Sequence, residues 1–174
     1  MGKYIIRDVQ QQDYSKIAGI YNSNSSFLLH HLGVPAVTED FVAQEVLTMR
    51  NEGFHSCVII NQENLAVEGI LDYKADAEVY LSLLMLSNNL QGKGVGSNIY
   101  LQFEREMIQD GKSSIRIDVV NDYHANVVPF WKKQGFLEKE NIMLEWGKKK
   151  SNAVVMKKNL TMTTCLLYTS PSPR

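Results

Sequence analysis

Apolar positions recur with two different periods along this chain, and the changes of period predict its elements. Tyr4 to Val9 reads as a strand, after which Tyr14, Ile17, Ala18 and Tyr21 fall on one helical face. A second helix is expected after Thr38. Thr38 suits the N-cap, Glu39 and Asp40 suit the positive first turn, Val42, Val46 and Met49 form the apolar stripe, and Gly53 ends it. Three strands follow, "HSCVIIN", "LAVEGILDYK" and "EVYLSLLML", separated by the polar stretches "QEN" and "ADA", which suit hairpins. Val95, Ile99, Phe103 and Met107 recur every four residues and predict a helix that stops at Gly111. "SSIRIDVV" is another strand, and "ANVVPFWKKQG" a short helix that tolerates Pro129 in its first turn. "FLEKENIMLEW" and "SNAVVMKKNL" close as a hairpin around "GKKK". With no repeat and no linker, the pattern is that of one mixed α/β domain.

Composition narrows the class without naming a function. The 174 residues are 44% hydrophobic with a formal net charge of -1, enough for one core and with no basic excess to attract nucleic acid. No apolar run has the length of a membrane span, and "MGKYIIRD" is neither a signal peptide nor a myristoylation site, so the expected location is cytoplasmic. Two cysteines, Cys57 in an apolar strand and Cys165 near the end, exclude a disulfide framework, and Cys57 reads as a buried spectator. "CLLYTSPSPR", Cys165 to Arg174, lacks periodicity and resembles a translated sequencing adapter. The domain is therefore expected to span 1–160, with a tail over 161–174 that is non-native from about 165.

The chemistry concentrates in "NNLQGKGVGSNIY", Asn88 to Tyr100, where Gly92, Gly94 and Gly96 lie between a strand and a helix. Bare N–H groups and a helix N-terminus in that arrangement form a phosphate cradle. The dinucleotide pattern G-x-G-x-x-G fails because the third glycine comes one residue early, and the Walker A pattern fails because Gly94 follows Gly92-Lys93. What fits is Q-x-x-G-x-G at Gln91, Gly94 and Gly96, which resembles the pyrophosphate loop of the GCN5-related N-acetyltransferases (GNAT). The resemblance runs from Tyr4 to Leu160, with "LLMLSNNLQGKGVG" matching the family's fourth strand and loop and "FWKKQGF" the segment beside the pantetheine arm.

The resemblance implies an α/β fold of GNAT type: a mixed, mostly antiparallel central sheet that splays after the fourth strand, with helices on both faces. It implies acetyl-CoA as co-substrate and no metal. The cofactor loop would be Gln91, Gly92, Lys93, Gly94, Val95 and Gly96, and the backbone of Leu84, Met85 and Leu86 would meet the acetyl group and pantetheine. Leu84 would serve catalysis by steadying the oxyanion, a role for which one donor contributes roughly 3 kcal/mol. Asn121 and Asn126 are candidate pantetheine contacts, or caps of the following helix.

Proton transfer is less settled. Asp118 in "IRIDVVN" stands where some relatives carry a strand carboxylate, and it reads either as the proton acceptor or as half of an ion pair with Arg116. Asp72 and Glu78 are its rivals, and a water-mediated base or none is also possible. Where many relatives have a tyrosine acid this chain has Trp131, which reads as packing along the cofactor wall, leaving water, Tyr123 or Tyr100 as proton source. The resemblance implies that the segment between the first two helices, here "YNSNSSFLLHHLGVP" with His30 and His31, shapes the acceptor pocket. Adjacent histidines share no helix face and have no third ligand at suitable spacing, so a metal is not expected. Lys148 to Lys150 read as a solvated hairpin tip, and Tyr73 and Tyr80 as either acceptor-groove lining or ordinary strand packing.

The expected function is an N-acetyltransferase that moves an acetyl group to a primary amine of a small molecule or a protein terminus. The alternative is a non-catalytic acetyl-CoA-binding or sensing module. Expected partners are a small-molecule or peptide amine, without nucleic acid or membrane, and a monomer or homodimer.

Overall fold

The computed structural model describes residues 3–122, 127–146 and 149–160. Seven strands form one sheet in the order β1-β2-β3-β4-β5-β7-β6: β1 (Tyr4–Asp8), β2 (His55–Asn61), β3 (Val67–Ala75), β4 (Glu78–Leu86), β5 (Ser114–Val120), β6 (Leu137–Trp146) and β7 (Lys149–Asn159). Every neighbouring pair is antiparallel except β4 with β5, which are parallel and joined by a helical crossover.

The helices divide between the two faces. α1 (Tyr14–Ser23), the short α2 (Ser25–Phe27) with its π-helical continuation Leu28–Leu32, and α3 (Glu39–Asn51) cover one face, packing Ile17, Tyr21, Leu28, Val42 and Val46 on Val58, Ile60, Ile70 and Met85. α4 (Val95–Gln109) and α5 (Val128–Lys133) cover the other, packing Ile99, Tyr100, Phe103 and Trp131 on Leu71, Val79, Ile117 and Met156. Thr38 caps α3 through its hydroxyl, which accepts from the Phe41 amide at 3.2 Å.

Two irregularities position the site. β4 and β5 pair only at Glu78–Ser114, Val79–Ile115 and Tyr80–Arg116; beyond them β4 runs on beside β3 alone and β5 beside β7 alone. The sheet therefore opens in a V. Within β4, Asp72 faces Leu83 while Tyr73 faces Leu81, so Ser82 is the extra residue of a β-bulge. The bulge exchanges the faces: Val79 and Leu81 pack on the α4 side before it, Leu84 and Leu86 after it, and Leu83 and Met85 turn to the α1 side.

The hairpin of β6 and β7 is tighter than its lysine-rich sequence suggests. Lys149 and Lys150 belong to β7, opposite Trp146 and Glu145, rather than to a solvated tip; Lys148 and the tail 161–174 lie outside the described residues. Continued ladder bonding accounts for the difference.

Candidate active site

At the open end of the V, β4 passes through a 3-10 turn, Asn88–Leu90, into the glycine loop. Gly92 and Gly94 take left-handed φ angles of 76° and 77°, and Gly94 is the N-cap of α4. A Cβ at either position would meet nothing within 4 Å, so backbone conformation rather than crowding calls for glycine, and the space above the loop stays open. The first bond of α4 runs from the Asn98 amide to the Gly94 carbonyl, which leaves the N–H groups of Val95, Gly96 and Ser97 directed out of the positive helix end. Lys93 and the Gln91 side chain are exposed beside them.

Phe130, rather than Trp131, stands beside this loop. A Cβ on Gly96 would lie 3.6 Å from the Phe130 ring and 3.7 Å from Leu86, so those two side chains form the wall behind the loop. Gln134 ties α5 to α4 by donating to the Ser97 hydroxyl at 2.9 Å. Trp131 is turned into the core, where its ring meets Tyr100, Phe130 and Phe136 at centroid distances of 4.9–5.4 Å. Sequence reasoning missed Phe130, although it opens "FWKKQGF".

Alternation of the β4 backbone sorts its three candidate amides. The Ser87 amide donates to the Glu68 carbonyl on the β3 side, so Met85, two residues earlier, also points its N–H at β3. Leu84 and Leu86 point theirs into the V. The Leu86 carbonyl points the same way and is taken up by the Asn24 side-chain amide at 2.9 Å.

Asp118 lies just beyond the last β4–β5 pair with its side chain only 6% exposed. Its two oxygens accept from Arg116 Nε at 2.9 Å, Arg116 Nη2 at 3.2 Å and the Tyr80 hydroxyl at 3.1 Å. Hydrogen bonding to Asp118 raises the Arg116 guanidinium, and burial followed by the Asp118 charge pushes the Tyr80 phenol up to about 12. Glu78, the second rival, pairs with Lys157 at 3.1 Å.

Asp72 projects to the α1 side, where burial pushes its carboxyl up to about 6 against the opposing hydrogen bond from Ser56. It lines a cavity of about 20 Å³ with Tyr21, Glu45 and Cys57, room for about one water. Burial also raises the Glu45 and Tyr21 groups and pushes the Cys57 thiol up to about 12, as suits an unreactive thiol.

The segment from Ser25 to Leu32, expected to face the acceptor, is helical, which its sequence does not announce. His31, 9% exposed, stacks on Phe27 at 4.1 Å with Nδ1 3.2 Å from the Phe27 carbonyl, while His30 Nδ1 lies 2.9 Å from the Ser26 carbonyl. Lys149 reaches across from β7 to the Leu29 carbonyl at 3.1 Å. Asn22 braces the way to α3 by exchanging two bonds with the Val37 backbone, at 2.8 and 3.1 Å. Among the described residues no group of three His, Cys, Asp or Glu could hold a metal, and no helix is long and apolar enough to cross a membrane. Asn121 is exposed at the end of β5, its amide bonded to the Asn152 carbonyl; Tyr123 and Asn126 lie outside the described residues.

Residues 11–160, which include the glycine loop and the parting strands, match the family model for the acetyltransferase (GNAT) domain. The chain belongs to the GNAT acetyltransferases. Solved GNAT structures share the fold at low identity. Spermidine N-acetyltransferase from Vibrio cholerae, in complex with CoA and spermine, has a TM-score of 0.71 at 12% identity, covering 91% of this chain and 96% of that one. An acetyltransferase from Thermus thermophilus has 0.69 at 20%, covering 91% and 97%, and ribosomal-protein-alanine N-acetyltransferase from Brucella melitensis 0.65 at 17%, covering 90% and 99%. No curated protein matches the sequence.

Proposed function

We propose that this GNAT domain transfers an acetyl group from acetyl-CoA to a primary amine, of a small molecule or a protein terminus, by direct attack in a ternary complex. The observation that carries the reading is the open glycine loop at the end of the V. There the amides from Gly92 to Ser97 suit a pyrophosphate, and the Leu84 and Leu86 amides line a cleft that leads away from it. When bound, acetyl-CoA supplies the acyl group as a thioester, which a neutral amine attacks without a covalent enzyme intermediate.

The chain's own groups then divide the work. The Leu84 N–H steadies the developing oxyanion as a donor preorganised by the β4 backbone. The acceptor lies in the groove between the α1–α2 segment and the sheet, bordered by Tyr80 and Asp118. Since Asp118 already accepts three hydrogen bonds, it serves as the anchor of Tyr80 and Arg116, and the proton of the attacking amine leaves to solvent. The spermidine and ribosomal-protein-alanine N-acetyltransferase activities named for the Vibrio and Brucella neighbours are in keeping with an amine acceptor.

Thiol release from acetyl-CoA, followed across a panel of polyamines, amino acids and peptide N-termini, tests the reading. Turnover with at least one amine is the expected result. CoA binding without turnover of any amine would favour the sensing module instead.

A further inference from the structure

Where β4 leaves β5, the Leu86 carbonyl has no neighbouring strand to bond, and a side chain from the far end of α1 takes it. We propose that Asn24 is a positioning residue that couples the acceptor segment Ser25–Leu32 to the glycine loop, so that filling the cofactor site orders the acceptor side. This rests on the acetyl-CoA reading above.

Asn24 is nearly buried, and its short amide is fully engaged. Nδ2 donates to the Ile20 carbonyl and the Leu86 carbonyl, each at 2.9 Å, and lies 3.3 Å from the Ser23 hydroxyl, while Oδ1 accepts from Gln91 Nε2 at 2.7 Å. One group therefore joins the last turn of α1, the end of β4 and the first residue of the glycine motif. The neighbouring Ser23 hydroxyl adds a second stitch by accepting from the Asn88 amide at 3.0 Å. Two donors and an acceptor on so short a stem are available only from asparagine, since aspartate cannot donate and serine offers one donor.

The backbone of Asn24 faces the other way. With φ −109° and ψ 60° it breaks α1 from α2, and its carbonyl accepts the Leu28 amide at 3.1 Å, the bond that leads into the π turn carrying His30 and His31. A π turn is a rare and marginal geometry, so its population responds to small changes at its root. Cofactor that fixes Gln91 and Leu86 thus fixes the root of the acceptor segment, and linkage makes the effect reciprocal.

Hydrogen exchange of the full chain, with and without saturating CoA, tests the coupling. In the wild type, CoA should slow exchange both over 88–99 and, at least threefold, over 25–32. Gln91→Ala cuts the bond from the glycine motif to Asn24 and leaves those of Leu86 and Asn88; CoA should bind more weakly, and at saturation slowing should persist over 88–99 and shrink at least twofold over 25–32. Asn24→Ala should do the same and weaken CoA about three- to tenfold; if it does not fold, Gln91→Ala decides. Slowing confined to 88–99 in the wild type, or slowing over 25–32 that is undiminished in both Gln91→Ala and Asn24→Ala, would overturn the proposal. A wild type that neither binds CoA in calorimetry nor changes its exchange defeats the acetyl-CoA reading itself, and the coupling with it.

Discussion

Arg116 and Asp118, two residues apart on β5 and therefore on one face of the sheet, close a two-bond ion pair at the apex of the V. Because Tyr80 adds a third donor from β4, the pair also bridges the last point at which the two strands meet. Asp118→Asn should cost about 1–3 kcal/mol in urea unfolding, since Arg116 loses its anion while the asparagine amide group faces two other donors. Turnover should fall without loss of the acid limb of the pH–rate curve. A variant whose kcat/KM no longer declines toward low pH would instead make Asp118 the proton acceptor.

Asp72 predicts a pH dependence of stability. Its folded carboxyl is raised to about 6, above the ordinary carboxylate range, so the folded state binds the proton more tightly than the unfolded chain. That stabilisation is complete below about pH 4 and is lost as pH rises to about 6, a loss on the order of 3 kcal/mol. Glu45, also raised by burial, contributes with the same sign. Asp72→Asn should keep the Ser56 contact, match the wild type at pH 4 and exceed it in denaturant stability at pH 8. Equal stability at both pH values would mean that the carboxylate is solvated.

Much of this architecture is legible because burial is periodic. Thr38 with its acidic first turn, the three-strand run from His55 to Leu86 and the four-residue recurrence in α4 each match an element. The Ser82 bulge is not legible, since "EVYLSLLML" is apolar on both faces and no period marks the extra residue. "SSFLLHHL" conceals its π turn for the converse reason: five-residue closure spoils the 3.6 stripe. Neither could sequence orient Phe130 and Trp131, adjacent aromatics in a six-residue helix, of which the first meets the loop and the second the core. Asn24 is hidden in the polar run from Asn22 to Ser26, its importance resting on a carbonyl 62 positions away.

Gly94→Val should abolish most CoA affinity in a folded protein. The left-handed φ of 77° disfavours a β-branched residue by about 1–2 kcal/mol, and the new side chain would enter the open space above the loop. Calorimetry should show at least a tenfold weaker Kd with a cooperative melt retained. Unchanged affinity would place the pyrophosphate elsewhere.

Tyr100→Phe should leave both turnover and its alkaline limb as they are in the wild type. The Tyr100 ring is fully buried, edge-on to Trp131 and Phe136, and its hydroxyl lies 3.4 Å from Glu104, which is itself fully buried and paired with Lys158 at 2.5 Å. A phenol held there serves the α4–β7 contact. The substitution should cost about 1 kcal/mol of stability, because the bond to that carboxylate is long and contributes at the low end for a charged acceptor. Catalysis can spare it because a thiolate whose conjugate acid lies near pH ~8.5 can depart and take its proton from water, so that a positioned acid is helpful rather than obligatory. Trp131→Tyr, by the same geometry, would bury a new hydroxyl among three aromatic rings and should lower stability without restoring an acid. Turnover against pH for both variants decides the matter: loss of activity in Tyr100→Phe with folding and CoA binding intact would show that the buried phenol is the proton donor after all.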